Sequence, residues 1–245
     1  MKSSYFNSLV FIGSLAVGYV IYEFMLPPFI KDGGPLVITL IALVVMLVTF
    51  IIERYMTLNK AAGKGPLTTF LKNVQMAVNT GDIDAAIAAC DKQRGSCANI
   101  IRTGLEKYKM IAEEGDIKGQ KEVMEGVQGA IEEANMLEVP LLEKNLVMMS
   151  TIASIATMVG LLGTVIGMIR SFQAMSRAGA PDAVQLALGI SEALINTAGG
   201  LVAGIGGIVA YNFFVTKIDS FTYMIDEASY AIVQSLATRK PSKGK

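Results

Sequence analysis

NLVMMSTIASIATMVGLLGTVIGMIR, residues 145–170, decides the fold. No charge interrupts it before Arg170. As a helix rising about 1.5 Å per residue, it is long enough to cross a hydrocarbon layer of about 30 Å. Its small and polar residues are not scattered. Ser150, Ala153, Thr157, Gly160, Thr164, Gly167 and Ser171 recur at alternating steps of three and four, which keeps them on one stripe of a helix. Lipid gives no reason to gather small residues on one face, whereas close helix–helix approach does, because bulk would hold the backbones apart.

A second block, residues 183–216, repeats the pattern and carries a single charge, Glu192. Gly189, Glu192, Asn196, Gly199, Ala203, Gly206 and Ala210 form one stripe. Ala193, Thr197, Gly200, Gly204 and Gly207 form another beside it. Gly163/Gly167 and Gly200/Gly204 satisfy the G-x-x-x-G spacing. Packing alone accounts for each stripe of small residues. It does not account for Glu192, because a carboxylate there costs roughly 2.5–3.5 kcal/mol on insertion scales. No Lys or Arg lies within the apolar blocks to pair with it. The carboxyl is therefore expected to be protonated, solvated by a water-filled interior, or paired with a group on another chain. Opposed helices place Thr164 at a depth similar to Glu192, with Asn196 and Thr197 about one turn deeper. Threonine hydroxyls there have two uses. They can face the carboxylate or a bare cation, or bond back to their own helix.

Two more apolar blocks precede these. Tyr5 to Leu26 carries only Glu23 and ends in Pro27-Pro28 with no A-x-A cleavage site, so an uncleaved membrane or interfacial helix is expected rather than a signal peptide. Pro27, Pro28, Gly33, Gly34 and Pro35 make a tight connection. Leu36 to Ile52 is nearly all large aliphatics with no small-residue face, which suits a helix facing lipid on most sides, at the periphery of any assembly. The composition agrees. The 245 residues are 52% hydrophobic and 17% charged, with mean hydropathy +0.49, against about 25% charged for soluble domains. A soluble enzyme and a secreted disulfide scaffold are excluded. Lys and Arg together equal Asp and Glu at 21 each, so the basic face of a nucleic-acid binder is missing. The absence of His removes His-ligated metals, triads and His proton relays. Neither a Walker A motif nor G-x-G-x-x-G is present. No cofactor and no metal are expected.

Residues 53–145 hold 12 basic and 14 acidic side chains, most of the charge in the chain. The segment reads as a water-exposed helical domain punctuated at Gly81-Asp82, Gly95 and Gly115. Its last helix, from about Lys118, is expected to run on through Pro140 towards the third apolar block. Basic residues beside the apolar ends (Arg54, Lys60, Lys64, Lys144, Lys217, and Arg239, Lys240, Lys243 and Lys245 in the tail) put this domain and the C-terminus in the cytoplasm. Arg170 and Arg177 flank the short opposite loop. Cys90 and Cys97 fit no common metal spacing, and in a reducing compartment they read as structural thiols. The expected architecture is all-α and polytopic, with long transmembrane helices extending into a helical cytoplasmic domain. Its segments are 1–30 (extra hydrophobic helix), 34–54 (peripheral transmembrane helix), 55–145 (cytoplasmic domain), 146–172 (pore-lining), 173–182 (periplasmic loop), 183–216 (pore-lining) and 217–245 (helical extension and basic tail).

Residues 145–170, with A-S-I-A and G-L-L-G-T-V-I-G-M, resemble the second transmembrane helix of the ExbB/TolQ/MotA proton-channel family. Residues 189–214, GISEALINTAGGLVAGIGGIVAYNFF, resemble the third, and GDIDAAIAACDKQRG at 81–95 is similar to the family's small helical domain. The likeness extends over roughly residues 36–235 and is nearest to the ExbB type. It implies a bacterial inner-membrane energy transducer: a homopentamer around an ExbD-like single-span protein with a membrane Asp. That motor would act on a TonB-like protein spanning the periplasm to energise outer-membrane transport. It implies an ion pathway through Glu192, Thr164 and Thr197, to which its depth adds Asn196; the small-residue spacing puts Gly160, Gly163, Gly167, Gly199, Gly200 and Gly204 in helix packing. The block at 5–26 is extra to the family's usual three helices. Thr157-Met158 and Gly206 stand where the family often has Pro.

Three function classes follow. The first is an ion-driven motor subunit of ExbB, TolQ or flagellar-stator type. The second is a secondary transporter, which would need a repeat and a pocket that this chain lacks. The third is a passive membrane scaffold, which leaves Glu192 unexplained. Proton use is expected over sodium.

Overall fold

The structure is a computed structural model that describes residues 2–113, 119–176 and 182–238. Gly115, Lys118, Arg177, half of the 173–182 loop and the basic tail from Arg239 onwards lie outside the described residues. Every regular element among the described residues is helical: α1 (Lys2–Phe24), α2 (Pro28–Lys31), α3 (Leu36–Ala62), α4 (Leu67–Thr80), α5 (Ile83–Gln93), α6 (Ser96–Glu113), α7 (Gln120–Glu143), α8 (Leu146–Ser176) and α9 (Ala183–Ala237). Four of these, α1, α3, α8 and α9, are long and apolar enough to cross a membrane by length and composition. The chain divides into two compact units. One comprises residues 1–54 and 145–214, the other 55–144 and 215–245.

In the first unit, α8 and α9 pack through their small residues. Gly167 meets Gly189 and Ala193, Gly163 meets Asn196, Gly160 meets Gly200, and Ala153 meets Gly207. A methyl group on Gly160 would lie 2.9 Å from the Gly200 Cα, so the two backbones are in contact. The remaining faces of both helices present large apolar side chains outward, among them Leu161, Val165, Phe172, Leu201 and Ile205. Contiguous exposed apolar surface of this kind belongs against lipid or protein.

Helix α3 is covered on part of its surface by its own chain. Leu40, Ala42, Leu43, Met46, Leu47 and Phe50 are all buried within the chain. The cause is the extra helix: Gly18 of α1 seats on the α3 backbone, where a methyl would come within 3.1 Å of Ala42 N and Ile38 O. Val10 and Ser14 continue that seam at steps of four and are buried with it. On another side, Leu40 reaches Gly199 of α9. The small residues at these contacts come from its neighbours, while Val44, Val48 and Ile52 remain exposed on the other side.

The second unit is built like a soluble bundle. Phe70, Val74 and Val78 line one face of α4; Ile218, Phe221, Ile225, Ile232 and Leu236 line one face of α9. Gly81 ends α4 at φ 86°, the left-handed cap glycine permits. Asp82 starts α5 by accepting a hydrogen bond from Ala85 N at 2.9 Å. Gly95, at φ 97°, separates α5 from α6. Buried Gln93 holds the turn after α3, its Nε2 donating to Ala62 O and Gly65 O.

Helix α7 runs on through Pro140 towards the third apolar block, as expected, and a break separates it from α8. α7 ends at Glu143, Lys144 is extended (ψ 139°), and Asn145 takes φ 65°. Asparagine tolerates the left-handed region better than most residues, and its amide donates to Glu53 Oε2 at 3.2 Å. By contrast, α9 is continuous over 55 residues, with no break near 216.

Candidate functional site

The site is assembled in the first unit, where α8, α9 and the connection between α1 and α3 meet. Glu192 is buried, its side chain 6% exposed. It is not unpaired, as its place in an apolar block had suggested. Arg170 Nη1 donates to Glu192 Oε2 at 2.5 Å. The partner comes from the same chain, and the reason is register. Gly167 lies against Gly189 and Ala193, and Ser171 against Gly189, so Arg170 stands about one turn from Glu192 on the antiparallel helix, within reach of its long side chain. Arg170 stands at the end of its block, and its side chain is 54% exposed.

The other carboxylate oxygen faces a turn. A methyl on Gly34 would fall 2.7 Å from Glu192 Oε1 and 3.9 Å from Arg170 Nη1. Gly34 has φ 72°, where a side chain is disfavoured on backbone grounds as well. Its neighbour Gly33 is equally confined, between Val37 and Ile195. The turn is fastened by Asn196, whose Nδ2 donates to Gly33 O at 2.7 Å and to Glu192 O at 2.9 Å. Asn196 is fully buried, and its Oδ1 has no hydrogen-bond partner among the described residues.

Two of the four residues assigned to the ion pathway, Glu192 and Asn196, thus meet around the 33–34 turn. The two threonines do not join them by hydrogen bonds. Thr164 Oγ1 donates to Leu161 O at 2.5 Å, and Thr197 Oγ1 to Ala193 O at 3.1 Å. Both hydroxyls satisfy their own helix, the local alternative open to any threonine in apolar surroundings. The glycines divide between partners. Gly160, Gly163, Gly167, Gly200 and Gly204 face across the α8–α9 seam, while Gly199 faces Leu40 of α3.

The sequence alone does not single out Arg170, Gly33 or Gly34. Arg170 flanks its apolar block and bears on orientation, and the glycine pair reads only as a turn. A signal for Arg170 was present: its spacing of three from Gly167 puts it beside the seam.

Among the described residues no group of three or more His, Cys, Asp or Glu side chains is placed to hold a metal. Cys90 and Cys97, in the second unit, are free and buried. Burial pushes each thiol up to about 12, so both are poor nucleophiles.

Residues 92–227 match the MotA/TolQ/ExbB proton channel family. Among curated proteins, the chain is 35% identical over 118 residues to the Tol-Pal system protein TolQ of Pseudomonas aeruginosa, covering 48% of this chain and 51% of that one. It is 38% identical over 85 residues to the biopolymer transport protein ExbB of Pseudomonas putida, covering 35% and 26%. It is 39% identical over 77 residues to ExbB of Aquifex aeolicus, covering 31% and 52%. The matched part spans about a quarter to a half of the length of these relatives. The family match takes in more than half of the chain and includes α8, Glu192 and the membrane-length part of α9, so this chain belongs to the MotA/TolQ/ExbB proton channel family.

Proposed function

We propose that this chain is an ExbB-type subunit of an inner-membrane, ion-driven motor that energises a TonB-like periplasm-spanning protein for outer-membrane transport. The observation that carries the reading is Glu192: an acidic side chain, 6% exposed, inside an apolar helix of the family-matched segment. Packing through small residues does not by itself call for that group. A membrane potential supplies about 2.3 kcal/mol per charge per 100 mV, enough to bias a moving part once an ion is taken up and released there. In this reading five copies surround an ExbD-like single-span protein whose membrane Asp meets Glu192. Residues 55–145 and 217–245 lie in the cytoplasm and 173–182 in the periplasm. Segments 34–54 and 1–30 lie outside a pore lined by 146–172 and 183–216. Thr164, Thr197 and the free Oδ1 of Asn196 serve the ion once a partner helix draws the hydroxyls from their own carbonyls. Protons are the proposed ion. The role is that of a transport-associated subunit rather than an enzyme.

The test is Glu192→Gln and Glu192→Ala in the native host. Energised outer-membrane uptake is lost, while the variants still co-purify with an Asp-bearing single-span protein. Full uptake with Glu192→Ala overturns the reading. A Tol-type role is a second reading, supported by the 118-residue match to a TolQ protein. Identification of the periplasm-spanning protein that co-purifies with the complex separates the two.

A further inference from the structure

We infer that Arg170 and the Gly33–Gly34 turn form a closed gate over Glu192, with the Arg170 guanidinium occupying the place of a travelling cation. The inference rests on the ion-pathway reading of Glu192 and deepens it. Three independent features meet at one carboxylate. Arg170 Nη1 takes Glu192 Oε2 at 2.5 Å. Gly34 covers Glu192 Oε1 so closely that a single methyl would stand 2.7 Å from it. Asn196, fully buried, holds the turn down through Gly33 O at 2.7 Å. The far end of the connection is tied as well. Lys31 Nζ donates to Glu23 O at 2.7 Å and lies 5.8 Å from the centre of the Tyr22 ring.

The burial is uneven, and the asymmetry gives the direction of opening. Glu192 is enclosed, whereas the Arg170 side chain is 54% exposed and has room to swing outward. Arginine does not deprotonate, so this counter-ion leaves by moving and not by losing its charge. A cation reaching Glu192, or a partner carboxylate attracting Arg170, exchanges one charge pair for another and leaves no carboxylate bare in low dielectric. The turn belongs to the connection made by the additional helix α1, which gives that helix a purpose beyond covering α3. Arg170 is thus a positioning residue for the ion step.

The test measures passive proton leak in inside-out membrane vesicles from cells carrying the full chain and its native partners. A pH-sensitive acridine dye follows the decay of an imposed gradient, normalised to the amount of the chain in the membrane. Arg170→Gln is expected to raise the leak at least severalfold. Arg170→Lys, which keeps the charge, is expected to return it towards the wild-type value. Arg170→Gln combined with Glu192→Gln is expected to abolish the added leak, because its acceptor is gone. Gly34→Ala, which leaves both charges in place and displaces the turn, is expected to raise the leak on its own. Unchanged leak in both Arg170→Gln and Gly34→Ala overturns the gate. So does a leak in the double variant equal to that of Arg170→Gln, since the path then bypasses Glu192. Full energised uptake by Glu192→Gln defeats the motor reading itself, whatever the leak, so the two failures are distinguishable.

Discussion

Gly163 of α8 lies directly against Asn196 of α9, with the space for a β-carbon on Gly163 already filled by the Asn196 side chain. The contact joins the seam that packs the helices to the side chain that fastens the 33–34 turn.

Gly163→Ala therefore forces the two helices apart or displaces Asn196. Overpacking of this kind destabilises by about 1–3 kcal/mol. Gly206→Ala is the control: nothing lies within 4 Å of its added methyl, and alanine is the better helix former. Thermal unfolding of the detergent-solubilised protein is expected to shift down for the first and to hold or rise slightly for the second.

Asn196→Ala leaves Gly33 O without its donor, a loss of about 1–3 kcal/mol for a buried carbonyl. The effect is local. Hydrogen exchange at the Gly34 and Val37 amides, which close the turn, is expected to quicken by about an order of magnitude, while α4 to α6 keep their protection.

Burial holds the Cys90 and Cys97 thiols far above neutrality in the folded protein, pushed up to about 12 each from an ordinary 9.0. Desolvation is the leading cause for both; Asp91 adds to it for Cys90, and Cys90 for Cys97. A folded-state pKa above the unfolded one favours the native state fully below pH 9. That advantage is lost as pH rises through the interval from about 9 to 12. The native protein is expected to resist maleimide at pH 7 to 8 and to react at both thiols after denaturation, as followed by mass spectrometry.

Asp82→Ala removes the side-chain acceptor at the start of α5. The expected loss is about 1 kcal/mol, as for other N-caps. Asp82→Asn, which keeps an acceptor oxygen, is expected to recover most of it in the same unfolding measurement.

The helices themselves were legible before any coordinates. Apolar length announced α1, α3, α8 and α9, and Gly81-Asp82 and Gly95 announced the breaks in the charged segment, because glycine conformations and caps are decided by neighbours in the chain. The alternating small residues announced that α8 and α9 touch. On α8 the stripe of Ala153, Thr157, Gly160, Gly167 and Ser171 meets α9, as its spacing predicts. What the sequence could not rank was which of the two adjacent stripes of α9 meets α8: Gly200, Gly204 and Gly207 do, whereas Gly199 faces Leu40 and nothing lies within 4 Å of a methyl on Gly206. A rotation of one residue decides it, and that rotation depends on α3 and α8 together. The break at Lys144–Asn145 was likewise hidden, since a helix can carry Pro140 in its last turn, as α7 does.

The chain by itself determined that this is a helical protein with apolar blocks of membrane length, an acidic residue inside one of them, and the motifs of a proton-channel family. Periodicity, block length and residue type are properties of neighbouring positions, and a string displays them in full. Only the tertiary structure decided that Glu192 meets Arg170 and lies under Gly34. Those contacts join residues 22 and 158 positions apart, through the register of antiparallel helices and the path of a turn. Such distances are set by how the backbones pack, and no local pattern records them.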